Sequence, residues 1–235
     1  MKFVILAGGK GSRMQADGAT WTKPMTPLLG QPMIGRLLDQ MLDCGAEAVH
    51  IAANPAMDDM IQYLTHRAEK DPRIVVRPIV TDNSYESLRE GARGIQGPFV
   101  ASTVDAIVDS DELSRFADMT RRMPAGHGAM GLMRNIEDET PLWANVLPDG
   151  EIIDYSWEKE PFACGEIASA GIYGLSDRAM QRLAASEIYP TSLSHSQQIL
   201  ARDPLFMLHS FFFSEAYDVD NMNDRASAEK FLKQH

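Results

Sequence analysis

The chain has 235 residues, 44% hydrophobic and 23% charged, an ordinary globular balance with room for one large domain or two small ones. Its 33 acidic and 22 basic side chains give a formal net charge of −11, which excludes nucleic-acid or anionic-membrane partners held by bulk charge, since phosphate backbones repel such a surface. A small anionic substrate held by a few local cations stays open. Cys44 and Cys164 are far apart and lack a CxxC partner, so no disulfide framework or cysteine zinc site is expected, only inert thiols. No apolar run approaches the ~20 residues that span a bilayer. Glycines end the apolar opening too soon for a signal peptide, and a cytoplasmic protein is expected.

Along the chain, Phe3-Val4-Ile5-Leu6 predicts a short strand running straight into glycines. Ile34, Leu37, Leu38, Met41 and Leu42 form a helical stripe stopped by Gly45. Val49 to Ala52 reads as a second strand, Met57, Met60, Ile61 and Leu64 as a second helix, and Ile74 to Val76 as a third strand. Ser84 to Arg93 predicts a helix capped by Asn83 or Ser84. Pro98 to Thr103 is a fourth strand, with Asp109 and Asp111 heading the helix after it. Trp143 to Val146 and Glu151 to Tyr155 flank Pro148-Asp149-Gly150, an antiparallel hairpin on a DG turn. Ala170 to Tyr173 and Phe206 to Phe213 add strands, and Asp224 to Lys233 a closing helix. Strands alternating with helices over short connections predict a doubly wound α/β sheet, mixed and mostly parallel, with helices on both faces. The methionines read as core filler, and the scattered histidines suggest no metal cluster.

Chemistry concentrates in Leu6-Ala7-Gly8-Gly9-Lys10-Gly11-Ser12-Arg13-Met14. Three glycines directly after a strand let the backbone approach a ligand closely, and their amides can converge on phosphate oxygens beside Lys10 and Arg13. A tight turn with two solvated cations fits the same residues. The pattern is neither GxGxxG nor GxxxxGK[ST].

Together with Thr22-Lys23-Pro24 and Gly30-Gln31-Pro32, this stretch resembles the signature of the nucleotidyltransferases that couple a nucleoside triphosphate to a sugar phosphate or similar phosphorylated alcohol. Further segments follow in family order. Thr103-Val104-Asp105 falls at the family's metal aspartate, Trp157-Glu158-Lys159 resembles its Glu-Lys-Pro, and Ala170-Gly171-Ile172-Tyr173 its Asn-Ala-Gly. Asp218-Val219-Asp220-Asn221-Met222-Asn223-Asp224 resembles its closing Asp-x-Asp-Thr-Pro-Glu-Asp. The departures are Val104 where glycine is common, Glu160 interrupting Glu-Lys-Pro, and Ser169 replacing asparagine. They bear on the acceptor and not on the reaction class.

The resemblance implies a Rossmann-like nucleotide-diphospho-sugar transferase fold in one catalytic domain over 1–235. Residues 1–110 would form the nucleotide-binding half, and 111–235 the acceptor-binding half with the closing metal aspartate. It implies that Leu6, Ala7, Gly8, Gly9, Lys10, Gly11 and Ser12 cradle the triphosphate, that Arg13 binds the departing pyrophosphate, and that Lys23 steadies the α-phosphate. Glu158, Lys159 and Gly171 would meet the phosphorylated acceptor. Asp105 would share a magnesium ion with Asp220 or Asp218, Asp220 being preferred. Asn83 and Ser84 lie where relatives read base and acceptor.

Plainer readings stand beside each role. Lys23 can be a loop cation before a proline, Lys159 part of a solvated run, Asp105 a strand-end turn residue, and one late aspartate or Asn83 a helix cap. The expected activity is magnesium-dependent transfer of a nucleoside monophosphate from a triphosphate to a sugar 1-phosphate, releasing pyrophosphate. The alternatives are a cytidylyltransferase for phosphocholine or another phospho-alcohol, a DxD glycosyltransferase, and an inactive binding relative. The base, the acceptor and any homo-oligomer stay open.

Overall fold

A computed structural model describes residues 1–8, 21–136, 140–159 and 164–234. The chain enters on β1 (Lys2–Ala7), then makes a 3-10 turn at Lys23–Met25 and a small ribbon of β2 (Pro27–Leu28) and β3 (Gln31–Pro32). Next come α1 (Met33–Asp43), β4 (Ala48–Ala53), α2 (Asp58–Lys70), β5 (Ile74–Pro78) and α3 (Ser84–Ala92). β6 (Pro98–Thr103), β7 (Ala106–Val108), α4 (Ser110–Arg121), β8 (His127–Met133), β9 (Trp143–Val146) and β10 (Glu151–Ser156) follow. The chain then runs through β11 (Ala168–Ser176), α5 (Asp177–Ala184), α6 (Leu193–Ala201), β12 (Met207–Phe212), β13 (Ala216–Asp218) and α7 (Met222–Leu232).

Nine of these strands make one mixed sheet in the order β5-β4-β1-β6-β11-β8-β12-β10-β9. β5, β4, β1 and β6 are mutually parallel. They are joined by helical crossovers, as the alternating pattern requires. β11 then runs antiparallel to both β6 and β8, while β12 lies parallel to β8. β9 pairs with β10 and, through Trp143, with Ala168 of β11. The last five strands therefore curl until first and last meet at one residue pair.

Side-chain alternation along β1 assigns the two faces. Phe3, Ile5 and Ala7 face a core with α1, α2 and α4, whereas Val4 and Leu6 face a second core with α3, α5 and α6. A third cluster, Leu28, Met33, Ile107, Val219, Ala228 and Phe231, seats α7 on β7. Gly91 of α3 has no room for a side chain, since a Cβ there would lie 2.7 Å from Val4 Cγ1. The helix thereby packs almost directly on the sheet.

The predicted strands and helices appear within a few residues of their expected places. β8, α5 and α6 are additions that the pattern did not announce. The closing helix begins earlier than expected because Asn221 and Asp224 form a reciprocal capping box. Two of the scattered histidines meet across β8 and β12, His127 Nδ1 lying 2.8 Å from His209 Nε2. Burial pushes the Cys44 thiol up, further from the reactive thiolate. Among the described residues, no helix is long and apolar enough to cross a membrane.

Candidate functional site

In an open α/β sheet, ligands sit outside the carboxyl ends of the strands, where the order of connection reverses. Here that point lies between β1, whose chain continues outward to β4 and β5, and β6, added on its other side. Leu6 and Ala7 are buried at the end of β1, and their carbonyls accept from Val104 N at 3.2 Å and Asn54 N at 3.4 Å. Gly8 follows at the edge. A Cβ on it would lie 3.0 Å from Ser87 Oγ, so the amino end of α3 stands against the start of the glycine loop. Gly9, Lys10, Gly11, Ser12 and Arg13 lie outside the described residues.

β6 ends at Thr103, and the two-residue turn Val104-Asp105 leads into β7. β7 pairs with β13 through Asp218↔Ala106, and Val219 N donates to Asp105 O at 3.2 Å. These backbone bonds bring the distant end of the chain beside the β6 turn. One oxygen each from Asp105, Asp218 and Asp220 then lies within 4.8 Å of the others. Lys23 Nζ sits among them, donating to Asp105 and to Asp220. Burial alone would lower the Lys23 pKa, but the Asp105, Asp218 and Asp220 carboxylates outweigh it and hold the ammonium above its ordinary range. For Asp105, burial pulls upward, and Lys23 with the Thr103 hydrogen bond overcomes it, keeping the carboxyl below its usual range.

Both late aspartates thus join Asp105, where the sequence reading had to choose between them. The donor set suits a hard divalent cation. It is all carboxylate oxygen, at the ligand edge, and is only partly neutralised by one ammonium in contact with two of its members.

Four supports hold this cluster. Thr22 fixes the Lys23 turn to α2, its amide and hydroxyl donating to Asp59 at 3.0 and 2.8 Å. Asn135 clasps β13 like a peptide, donating Nδ2 to Ala216 O at 2.8 Å and accepting Ala216 N at 3.1 Å. Glu112 of α4 is buried and accepts both the amide and hydroxyl of Ser214 at 2.9 Å. Asp224 accepts the amides of Asp220 and Asn221 at 2.9 Å, setting the backbone of the last aspartate. Each bridges residues that only the tertiary fold brings together, except the capping box, which the closing motif contains.

The remaining expected residues have definite places. Asn83 is the cap of α3, its side chain accepting Glu86 N at 3.0 Å, while Ser84 Oγ accepts Leu193 N at 2.9 Å. Gly171 lies in a bulge of β11 with φ +71°, and a Cβ there would be 2.6 Å from Thr103 Oγ1. Only glycine allows β11 to lie this close to the end of β6, next to the Val104-Asp105 turn. The same bulge carries Tyr173, whose phenol is pushed up by burial and by the Asp105 and Asp218 charges. Gln197 Nε2, on buried α6, approaches its hydroxyl at 3.5 Å. Glu158 and Lys159 are exposed; Lys159 pairs with Glu166 at 2.6 Å and lies over the Trp143 ring.

A family model described as the MobA-like NTP transferase domain matches residues 3–144. Mannose-1-phosphate guanyltransferases of Candida albicans and Schizosaccharomyces pombe are each 25% identical to this chain, over 202 and 228 residues. The matches cover 82% and 90% of this chain but 54% and 58% of theirs, so it spans little more than half the length of these relatives. Among solved structures, the inositol-1-phosphate CTP transferase from T. maritima superposes with a TM-score of 0.78 at 13% identity, covering 99% of this chain and 95% of that one. Apo UDP-glucose pyrophosphorylase gives 0.77 at 15%, covering 99% and 98%. At these identities the two structures speak to the fold.

Proposed function

The chain belongs to the family of MobA-like NTP transferase domains, and from that premise we propose that it transfers a nucleoside monophosphate from a nucleoside triphosphate to a sugar 1-phosphate, releasing pyrophosphate. The single observation that carries this reading is the convergence of Asp105, Asp218 and Asp220 with Lys23 at the carboxyl edge, beside the start of the glycine loop. The sugar 1-phosphate is supported by the names of the relatives, which act on mannose 1-phosphate.

In this reaction an acceptor phosphate oxygen attacks the α-phosphorus in line. A new P–O bond forms as the α–β bridging bond breaks, and its electron pair leaves on pyrophosphate. The attacking phosphate is ionised at neutral pH, so no general base is required; both reactants are anions, and catalysis consists of fixing and neutralising them. Asp105, Asp220 and Asp218 are the residues that would hold a divalent ion such as magnesium. Bound there, such an ion would supply charge neutralisation for the phosphate oxygens.

Lys23 contributes a charge to the α-phosphate, where charge is redistributed in the transition state. Gly8 and the loop after it, 9–13, hold the triphosphate, with Arg13 on the part that departs. Gly171 keeps β11 low over the Asp105 turn, and Lys159 with Glu158 meets the acceptor from the opposite side. Asn83 and Ser84 stand at the base. Lys23→Ala should lower kcat more than it raises KM, because its charge matters most in the transition state. A rise in KM alone would make Lys23 a ground-state clamp. The reading as a whole is tested by supplying each of the four NTPs with a panel of aldose 1-phosphates and magnesium and measuring pyrophosphate. Release that requires one NTP and one sugar 1-phosphate together is expected. Absence of release from every pairing contradicts the proposal.

A further inference from the structure

The carboxylate cluster holds a cation that belongs to the chain. Lys23 Nζ contacts Asp105 and Asp220, and its side chain is only 11% exposed. Its backbone is fixed on both sides. Thr22 is tied to Asp59 by two hydrogen bonds, and Pro24 follows within the 3-10 turn, which restricts the chain further. Lys23 is therefore delivered to these oxygens by the fold; a long solvated side chain would not settle there by chance against its own rotamer entropy.

The charges explain why a cation is needed. Three carboxylates with oxygens inside 4.8 Å repel one another, and the partial burial of Asp105 and Asp220 makes the repulsion stronger than in water, although Asp218 is exposed. One ammonium relieves most of it. A divalent ion would relieve more, but it would have to bind the same Asp105 and Asp220 carboxylates that Lys23 now contacts, and two cations cannot crowd them without repulsion. An incoming triphosphate changes this balance by offering the ammonium a richer set of anionic oxygens within the reach of its four-carbon stem.

Resting on the reaction proposed above, we propose that Lys23 is the resident counter-cation of the Asp105–Asp218–Asp220 site. A divalent metal and the Lys23 ammonium compete by charge for those carboxylates, and the triphosphate admits the metal by drawing Lys23 onto its phosphates. Lys23 thereby acts twice. Before substrate arrives it keeps the carboxylates together and unmetallated, and afterwards it serves the α-phosphate. The arrangement couples metal entry to nucleotide entry without any moving domain.

The test needs neither nucleotide nor acceptor. Mn2+ is titrated into the nucleotide-free full chain, with free Mn2+ followed by electron paramagnetic resonance, for wild type, Lys23→Met and Lys23→Arg. Lys23→Met is expected to bind one Mn2+ at least about tenfold more tightly than wild type, because the competing charge is gone. Lys23→Arg keeps that charge and is expected to stay near wild type. Adding Asp105→Asn to Lys23→Met should abolish the tightened binding, which locates it. Should Lys23→Met lack a cooperative melting transition without metal, Mn2+ is expected to restore one, and failure to do so overturns the proposal. Equal Mn2+ affinity in wild type and Lys23→Met overturns it, as does equal tightening in Lys23→Arg. If affinities are equal while wild type releases pyrophosphate from an NTP and a sugar 1-phosphate, only the counter-cation role fails. If the tightening appears but no pairing releases pyrophosphate, the reaction fails and the counter-cation role stands.

Discussion

On the β5-β4-β1-β6 side of the sheet, the strands are parallel and successive ones are joined through helices, so the residues that follow β1 and β6 reach the carboxyl edge simply by ending a strand. On the β11-β8-β12-β10-β9 side, every pairing but β8–β12 is antiparallel and the strands close on themselves. Asp218 arrives there as the last residue of β13, a three-residue strand outside the main sheet, and Asp220 follows two residues on. The first side positions its chemistry by local chain geometry. The second relies on cross-links between distant residues: the Asn135 clasp, the Glu112–Ser214 bonds and the β7–β13 ladder. Stability and activity should therefore separate between the two, the first side tolerating damage to packing without loss of site geometry and the second not.

The largest effect is expected where the two sides meet. Asp105→Asn should cut pyrophosphate release by about two orders of magnitude or more at physiological magnesium, since charge stabilisation is commonly worth this much in phosphoryl chemistry. The melting temperature should change far less. Full activity in this variant would remove the shared carboxylate site. Asn135→Leu probes the second side alone. It leaves the Ala216 amide and carbonyl without their partner, at a cost of about 1–3 kcal/mol, and loosens the strand that ends at Asp218 and leads to Asp220. A fall in kcat larger than the shift in denaturation midpoint implies is expected, and a proportional fall would make Asn135 an ordinary structural residue.

Gly91→Val is the counterpart on the parallel side. Its side chain would collide with Val4 and Ala52 beneath α3, and overpacking of this kind costs about 1–3 kcal/mol. Here stability should drop while kcat of the folded fraction is kept.

The smallest effect is a pH dependence. His50 on β4 has a pKa lowered to about 4, chiefly by burial, with Arg77 and Lys2 adding to it, and its Nδ1 is buried with no hydrogen-bond partner among the described residues. The unfolded chain binds a proton at about 6.5, so between these values the unfolded state is the more protonated. Stability should fall as pH drops through that window. His50→Gln should flatten this part of the denaturation-midpoint profile, and an unchanged slope would show that other groups dominate it.

The same contrast explains what could be read from the sequence. β1, β4, β5 and β6 and their helices follow hydrophobic periodicity, and Gly8 and Asp105 sit just past strand ends, where such residues announce themselves. β8 was not legible, because it reads His127-Gly128-Ala129-Met130-Gly131-Leu132-Met133 with neither alternation nor β-branched residues. Its glycines are bare because neighbours fill their space: a Cβ on Gly131 would lie 2.6 Å from Phe213, and one on Gly128 3.0 Å from the Gly174 carbonyl. That Asp218 and Asp220 both reach Asp105 was equally hidden. Alternation along an extended chain puts both on one side, but only the β7–β13 ladder says where that side faces. Asp59, Glu112 and Asn135 bridge residues tens of positions away, and no local spacing marks such partners.

The central claim is that an acceptor phosphate attacks the α-phosphorus at the carboxylate site, and it is tested most directly by following the α-phosphate itself. With α-labelled NTP, a sugar 1-phosphate and magnesium, the account expects the label to pass into a nucleotide diphospho-sugar, with one pyrophosphate released per product and no transfer in Asp105→Asn. Label that stays in the triphosphate, is released as free monophosphate without a sugar product, or transfers undiminished in Asp105→Asn would contradict it.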